Sequence, residues 1–202
     1  MKEIVFVTSN KGKLQSAHEY IDKAFKLIDF KFDILEPAIN DIEFIAEYKV
    51  KEAYNLVRKP CISLDDGFYI PNYPNNPNFP GAFPRRELLE KIGIDGLLKN
   101  MKSITERECY FKECLAYYDG KILKKFFGLS QGSLSTEVRG IDSCKKWSDL
   151  WYIFIPKNNN KTLAEMNDEE RSNRNDGYIN PFIEFNEWFK NLEENHEKHK
   201  SN

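Results

Sequence analysis

The sequence predicts an α/β fold built on a mixed β-sheet. Between residues 3 and 64, helical segments alternate with apolar strands, which is typical of parallel strands joined by helices. The middle of the chain has two long strand-like runs joined across Asp119-Gly120, which is typical of an antiparallel hairpin. The combination favours a mixed sheet over a purely parallel one.

The individual elements follow from the hydrophobic period and from breaker residues such as Pro60, which stops the second helix. The predicted strands are 3–8, 26–35, 61–64, 108–118, 123–127, 129–138 and 151–155, and the predicted helices are 11–25, 42–57, 85–100, 162–171 and 179–192. With 202 residues, the chain is expected to form one domain over residues 1–192, followed by a polar tail at 193–202.

Composition argues against several classes of protein. The formal net charge is −2 and the basic residues are dispersed, which argues against nucleic-acid binding by bulk charge. The apolar runs are too short for a signal peptide or for a membrane span of about 20 residues. The four cysteines lack Cys-x-x-Cys spacing and there are only three histidines, so neither a zinc site nor a Ser/His/Asp triad is expected. We expect a cytoplasmic protein without a nucleic-acid or membrane partner, whose chemistry depends on carboxylates and lysines.

Residues 4–13 predict an anion-binding turn. A buried strand ends at Thr8 and passes through small polar residues and the lysines Lys11 and Lys13 into a helix. Free N–H groups at a helix start, the helix dipole and ammonium groups all favour phosphate. The spacing matches neither a Walker A loop nor a dinucleotide-binding fingerprint. The alternative is an ordinary strand–turn–helix with surface lysines.

Asp65-Asp66-Gly67 is the second candidate site. Two carboxylates at the end of a buried strand are costly unless cations match them, and such pairs commonly hold Mg²⁺ or orient a water molecule. The alternative is a solvated Asp-Gly turn. Lys49 and Lys51 lie on the preceding helix about 200° apart, so only one of them can point at the sheet end. Glu36 and Glu47 are further acids in the neighbourhood.

The C-terminal third contains candidate substrate-binding side chains. Arg171 and Arg174 are spaced three apart and can share a helix face that clamps phosphates. Trp147, Trp151 and Tyr152 are able to stack on a base. The alternatives are a solvated helix end for the arginines and core packing for the aromatic residues.

Taken together, these segments resemble the inosine triphosphate pyrophosphatase family, the hydrolases of non-standard purine nucleoside triphosphates. Residues 8–13 match its Thr-x-Asn-x-x-Lys opening, and residues 46–54, Lys59-Pro60 and residues 64–67 resemble its middle block in order and spacing. Later family segments are resembled by residues 80–83, 110–111, 132–140, 154–156 and 161–166. The resemblance covers about residues 2–175.

The resemblance implies an elongated mixed sheet, a homodimer, and hydrolysis of a nucleoside triphosphate to the monophosphate and pyrophosphate with Mg²⁺. It implies that Asp65 is the catalytic carboxylate, that Lys51 neutralises developing charge, and that Glu36 and Asp65 hold the metal ion. It further implies a set of substrate-binding residues, namely Thr8, Asn10, Lys13, Asp66, Trp147, Asp149, Arg171 and Arg174. The physical logic agrees, because water attack on a polyphosphate needs charge neutralisation, a positioned metal ion and in-line geometry.

Two family segments are replaced in this chain. Where the family has a Gly-Phe-Gly-[Trp/Tyr]-Asp-Pro loop, residues 146–152 read Lys-Trp-Ser-Asp-Leu-Trp-Tyr, so Trp147 or Asp149 would take over base recognition. The late Ser-His-Arg of the family is absent. Two alternatives therefore stay open: a nucleotide-binding protein with weakened catalysis, and a pyrophosphatase with a shifted base preference.

Overall fold

The computed structural model describes residues 2–32, 34–142, 147–173 and 177–200. The strands are β1 (Lys2–Val7), β2 (Phe25–Phe30), β3 (Cys61–Ile70), β4 (Phe79–Gly81), β5 (Glu108–Tyr118), β6 (Leu123–Leu134), β7 (Phe154–Pro156) and β8 (Tyr178–Ile179). The α-helices are α1 (Lys11–Tyr20), α2 (Ile42–Val57), α3 (Gly93–Asn100), α4 (Asp168–Ser172) and α5 (Pro181–Lys200).

Within the described residues, these eight strands form one mixed sheet, which confirms the predicted fold class. The central order is β2-β1-β3-β5-β6-β7, with β4 paired to β3 and β8 paired to β6. β1 is parallel to both of its neighbours, β2 and β3. The pairs β3–β5, β5–β6 and β6–β7 are antiparallel. The parallel part comes from the helix-connected N-terminal segment and the antiparallel part from the long hairpin of β5 and β6.

One edge of β3 is only partly paired, and this gap positions the site. On that edge β1 pairs with Cys61 and Ile62, and β4 pairs with the segment Phe68–Ile70. Between them, within the described chain, residues 63–67 have no strand partner on this edge, although β5 pairs with β3 along its other edge. Unpaired backbone groups at a strand edge must find other partners, so this gap is a natural place for side chains and ligands to enter.

Three apolar clusters cover the sheet. The buried residues of α2, among them Ala46 and Val50, pack on one face of the sheet against Cys61 and Cys114. The opposite face is covered by α1 and α5, where Phe185 and Phe189 pack against Leu64 and neighbouring residues. A third cluster around Phe68 extends beyond the gap and includes Leu88, Leu97 and Phe154. The gap in β3 therefore lies between two separately packed halves of the sheet.

The strand predicted to end at Leu64 continues through Asp65, Asp66 and Gly67 to Ile70, so the prediction that the two carboxylates end a strand is wrong. β5 explains the difference, because it pairs with β3 from Cys61 to Tyr69 and continues the ladder past the polar residues. This pairing is distant in sequence, and local composition does not reveal it.

Three predicted helices are shorter or divided. The helix predicted at 11–25 is α1, which ends at Tyr20. The helix predicted at 85–100 consists of a π-helical turn, Pro84–Glu90, and α3, which begins at Gly93 with φ of 73°. The helix predicted at 162–171 is only α4, which begins after Asn167, since Asn167 and Glu170 form a reciprocal capping box. The strand predicted at 151–155 is a 3₁₀ turn, Asp149–Tyr152, followed by β7.

Candidate active site

The turn after β1 is organised by Asn10, which caps α1. Its side-chain oxygen accepts hydrogen bonds from the N–H groups of Gly12 (2.8 Å) and Lys13 (3.2 Å), and its own N–H donates to Thr8 Oγ1 (3.1 Å). Two of the N–H groups that a phosphate was expected to use are therefore satisfied by the cap. The positive charge presented at this helix start comes mainly from the ammonium group of Lys13.

Lys13 occupies the unpaired edge of β3. Its Nζ donates to the carbonyl oxygen of Leu64 (3.0 Å), which β1 and β4 leave without a strand partner. The same ammonium lies 2.5 Å from Asp66 Oδ1 and 3.6 Å from Asp65 Oδ1. Burial alone would lower the pKa of Lys13, but attraction to Asp66 and Asp65 outweighs it and raises the pKa above its usual value. Lys13 thus stays charged while it is largely shielded from water.

Asp65 is the buried centre of a chain of charges that ends at the exposed Glu36. Its residue is 5% exposed, and its Oδ2 lies 3.0 Å from Nζ of Lys49, which in turn lies 2.8 Å from Glu36 Oε1. Asp65 Oδ2 accepts no well-aligned hydrogen bond within the described residues, even though Lys49 is close. A buried carboxylate oxygen of this kind retains a lone pair for a further ligand.

Lys51, to which the resemblance gives the role of neutralising developing charge, makes no ion pair with Asp65 among the described residues. Its ammonium pairs with Glu47 of the same helix (2.6 Å), and the other oxygen of Glu47 pairs with Lys125 on β6 (2.8 Å). Lys49 points at Asp65 because it lies on the side of α2 that also carries the buried Ala46. The hydroxyl of Ser63 on β3 donates to the carbonyl of Ala46 (2.7 Å) and fixes this orientation.

Two tryptophans, Trp147 and Trp151, lie near the turn after β1. The ring of Trp147 lies so close to Gly12 that a Cβ on that glycine would be 3.2 Å from the ring. Trp147 and Trp151 have ring centroids 5.5 Å apart, and Trp151 also packs against the cluster around Phe68. Trp147 is 51% exposed, so its ring is accessible next to the Lys13 turn.

The remaining predicted residues are less closely associated with the cluster. Arg171 lies over the ring of Trp151 (5.3 Å) and donates to the carbonyls of Leu163 and Met166, so its guanidinium holds its own loop together. Asp149 begins the 3₁₀ turn that follows Trp147. Arg174 lies outside the described residues.

The structure therefore brings together Thr8, Asn10, Lys13, Asp65, Asp66 and Glu36 around the gap in β3, with Trp147 beside them. Sequence reasoning missed Lys49 as the residue that links Asp65 to Glu36. The spacing Ala46-x-x-Lys49-x-x-x-Ala53 was the available signal, since it places Lys49 between two small residues on the packed side of the helix.

Comparison with known proteins assigns the chain to a family. A sequence model of the Ham1 family matches residues 4–176. The chain belongs to the Ham1 family. The dITP/XTP pyrophosphatase of Saccharolobus solfataricus is 32% identical over 198 residues, which are 95% of this chain and 96% of that protein. The dITP/XTP pyrophosphatase of Thermococcus kodakarensis is 31% identical over 188 residues, which are 93% and 97% of the two chains.

Solved structures of Ham1 proteins share the fold. The Ham1 protein of Staphylococcus aureus superposes with a TM-score of 0.76 at 21% identity, over 95% of this chain and 100% of that one. The HAM1 protein of Coxiella burnetii gives a TM-score of 0.73 at 22% identity, over 86% and 91%. The family resemblance drawn from the motifs is confirmed, and so is the mixed α/β architecture.

Two further properties of this Ham1 chain concern metals and membranes. Among the described residues, no three His, Cys, Asp or Glu side chains converge as a preformed metal cluster. Mg²⁺ commonly uses only one or two protein carboxylates together with substrate phosphates, so the carboxylates of Glu36 and Asp65 suit that ion. None of the described helices combines the length and apolar composition needed to cross a membrane.

Proposed function

We propose that this protein hydrolyses non-standard purine nucleoside triphosphates to the monophosphate and pyrophosphate. The observation that carries the proposal is the chain of ion pairs Lys13–Asp65–Lys49–Glu36 at the gap in β3, which is shielded from water at its first three members and exposed at Glu36. Its two ammonium groups suit a polyphosphate, and its two carboxylates suit a water molecule or a metal ion. Relatives at least 30% identical over most of the chain are named dITP/XTP pyrophosphatases, which supports these substrates.

The residues divide the work as follows. Lys13 and Asn10 bind phosphate oxygens at the start of α1, and Lys49 neutralises the charge that develops on the leaving pyrophosphate. Asp65 orients the attacking water and accepts its proton through the oxygen that lacks an aligned donor. The water attacks the α-phosphorus, the bond from that phosphorus to the bridging oxygen breaks, and pyrophosphate leaves.

Glu36 and Asp65 are the residues that would hold Mg²⁺. When bound, the ion neutralises phosphate oxygens and fixes their orientation for in-line attack. Glu36 and Asp65 fit the ion because both supply carboxylate oxygens. The ammonium group of Lys49 lies between them within hydrogen-bond distance of each, so the two carboxylates are already arranged around one positive charge. Lys49 is a flexible side chain that is able to move from these carboxylates onto a phosphate.

Base recognition is assigned to Trp147. Its exposed ring stands beside Gly12, at the start of the helix that carries Lys13. A purine stacked on this ring would place its phosphates next to Lys13, and stacking on an aromatic side chain contributes about 1–3 kcal/mol per base. Trp147 thereby takes the place of the glycine-rich loop that this chain lacks.

Release of pyrophosphate from ITP, XTP and dITP tests the proposal, with ATP and GTP as standard-base comparisons. We expect turnover of the first three, and we expect Asp65→Asn to lower kcat by roughly 10²–10⁴-fold, the usual contribution of a positioned base. The variant is nearly isosteric, and its melting temperature should be compared with that of the wild type. No release of pyrophosphate by the wild type above an enzyme-free blank, with any of these triphosphates, would exclude the function, whereas equal turnover by wild type and variant would exclude only the role of Asp65.

We further propose a homodimer formed through the α2/β6 surface, defined by Phe44, Tyr48 and Phe127. These side chains are 45%, 37% and 41% exposed. The ion pairs Glu43–Lys112 and Glu47–Lys125 lie among them, so the surface offers both charge signs to a second copy, as a two-fold interface requires. Light scattering should give a dimer for the wild type and a monomer for Phe127→Glu. Ile183→Glu on α5, across the sheet, is the control that stays dimeric.

A further inference from the structure

Tyr69 is a residue of β3 that the mechanism above does not use. It lies on the same face of the sheet as Asp65, since side chains alternate along a strand and the two are four residues apart. Its ring lies back over Gly67: a Cβ built on that glycine would be 2.7 Å from both Cε2 and the hydroxyl oxygen of Tyr69. The missing side chain at Gly67 therefore leaves room for the hydroxyl, which is directed along the strand toward Asp65.

The ring of Tyr69 is held in place, so its hydroxyl is preorganised. Tyr69 is paired across the strands with Tyr110, and the two rings are stacked with centroids 5.1 Å apart and an interplanar angle of 11°. The backbone carbonyl of Gly81 bounds the other side of the same space, 2.8 Å from where a Cβ on Gly67 would lie. A hydroxyl fixed in this way needs little ordering when it meets a ligand.

The hydroxyl is a neutral donor in an acidic neighbourhood. Burial, followed by the nearby Tyr110, Asp41 and Asp66, raises the pKa of Tyr69 to about 12, so the phenol keeps its proton at neutral pH. Within the described part of the chain, this hydroxyl has no hydrogen-bond partner. The oxygens of a polyphosphate accept hydrogen bonds. In a site that also contains carboxylates, such a ligand is stabilised by neutral donors as well as by ammonium groups.

The two faces of β3 show which part of the substrate Tyr69 would meet. Trp147 contacts Gly12, and its neighbour Trp151 packs against the cluster around Phe68, so the candidate base-binding ring of Trp147 lies on the α1 face of the sheet. Asp65 and Tyr69 lie on the opposite, α2 face. A nucleotide that passes through the gap in β3 with its base on the first face has its terminal phosphates on the second.

We propose that the Tyr69 hydroxyl donates a hydrogen bond to the pyrophosphate end of the substrate, an inference that rests on the proposed function. The bond is made to the β- or γ-phosphate and persists in the enzyme–pyrophosphate product complex. Tyr69 is then a specificity residue for the triphosphate chain, and the nucleoside monophosphate does not sense it.

The variant Tyr69→Phe removes the hydroxyl and keeps the stacked ring. Tyr110→Phe is the matched control, because it makes the same change in the same ring pair one strand farther from Asp65. Calorimetry with inorganic pyrophosphate and Mg²⁺ should show that Tyr69→Phe binds pyrophosphate at least about tenfold more weakly than the wild type, as expected for the loss of one hydrogen bond to a charged group. Tyr110→Phe should bind it with unchanged affinity. The affinity for inosine monophosphate should be unchanged in both, and the KM for ITP should rise with the pyrophosphate Kd.

The outcomes separate the two proposals. If the wild type releases pyrophosphate from ITP while Tyr69→Phe binds pyrophosphate as the wild type does, the inference about Tyr69 is wrong and the proposed function stands. An equal loss of monophosphate affinity in Tyr69→Phe also overturns the inference, because it would place the hydroxyl at the nucleoside. Failure of the wild type to hydrolyse any triphosphate overturns the proposed function instead. Matching melting temperatures of the two variants show that the ring stack is intact.

Discussion

The two sides of α2 carry the same chemical groups in different surroundings. Lys49 has a side chain that is 12% exposed and pairs with Asp65 across elements, whereas Lys51 is 44% exposed and pairs with Glu47 one helical turn away. The two lysines are separated by one residue. The first ion pair links the helix to a buried strand at a gap in the sheet, and the second is a surface pair of the kind that contributes little. Position relative to β3, and not residue type, decides which lysine pairs with Asp65 at the proposed active site.

Replacing each lysine by methionine is the most direct way to break this comparison. We expect Lys49→Met to lower kcat/KM for ITP by about 100-fold, because it removes a positioned charge from a shielded site. The kcat/KM of Lys51→Met for ITP should stay within about twofold of the wild-type value. Steady-state kinetics with ITP measures both.

The result has two readings that the kinetics distinguish. A large loss for Lys51→Met with little change for Lys49→Met would support the role that the family resemblance implies for Lys51 and contradict the role proposed here for Lys49. Because Lys49 is paired with two carboxylates, thermal unfolding of both variants should accompany the kinetics. A fall in kcat/KM at a temperature far below the melting transition then reports chemistry and not loss of the fold.

Lys13 extends the comparison to a second ammonium that is shielded and paired with Asp65 and Asp66. It lies at the proposed phosphate-binding turn and not on α2, so it should bind the substrate in the ground state as well as in the transition state. We therefore expect Lys13→Met to raise the KM for ITP by about tenfold with a smaller effect on kcat. A fall in kcat at constant KM would exchange the roles of Lys13 and Lys49.

Much of the site was predictable because its parts are local in sequence. Residue type and spacing alone make the turn 8–13 and the pair Asp65-Asp66 candidate sites, each with an ordinary turn as the alternative, and the structure brings the two together. The choice between Lys49 and Lys51 was not predictable in the same way. A helical wheel separates them but does not say which side faces β3, since that depends on a packing contact such as Ser63 with Ala46.

The fold shows the same division. The order of strands and helices in the first 60 residues and the hairpin of β5 and β6 follow from periodicity and turn residues. The continuation of β3 beyond Leu64 depends on its pairing with β5, which is about 50 residues away in sequence. The break before Gly93 depends on how the segment Pro84–Glu90 packs its buried Leu88 into the third cluster. Non-local pairing and packing are what a single sequence does not display.

Trp147 lies on the α1 face of the sheet, across the gap in β3 from α2, and a variant of it tests that side of the proposed site. Trp147→Ala should weaken the preference for purine over pyrimidine triphosphates by about tenfold, because one stacking contact is worth about 1–3 kcal/mol. The values of kcat/KM for ITP and for UTP measure this ratio. Trp151→Phe, which keeps a ring beside Arg171, is the control that should preserve the ratio. If the ratio of kcat/KM for ITP to that for UTP is unchanged in Trp147→Ala, Trp147 does not recognise the base, and its contact with Gly12 is structural.

The smallest effect is expected on the exposed side of α2, from Glu47→Gln. Hydrogen bonds from Lys125 and then Lys51 lower the pKa of Glu47 below its usual value. A carboxyl group whose pKa is depressed in the folded state stabilises the protein above its unfolded-state pKa of about 4.3, and this contribution is lost as the pH falls through the folded-state value. At pH 7, Glu47→Gln should therefore lower the free energy of unfolding by no more than about 1 kcal/mol, since the pair is solvent-screened.

Urea unfolding of wild type and Glu47→Gln at a series of pH values from 7 downward measures this contribution. The difference between the two proteins should shrink below pH 4 and should also shrink in 1 M salt, because exposed pairs are screened by ions. Glu52→Gln on the same helix corrects for the general effect of removing one negative charge. A difference that grows as the pH falls would have the wrong sign for a depressed pKa, and a difference of several kcal/mol at pH 7 would mean that Glu47 and Lys51 are as shielded as Asp65 and Lys49. In that case the contrast between the two sides of α2 would no longer support the proposal that Lys49, and not Lys51, acts on the substrate.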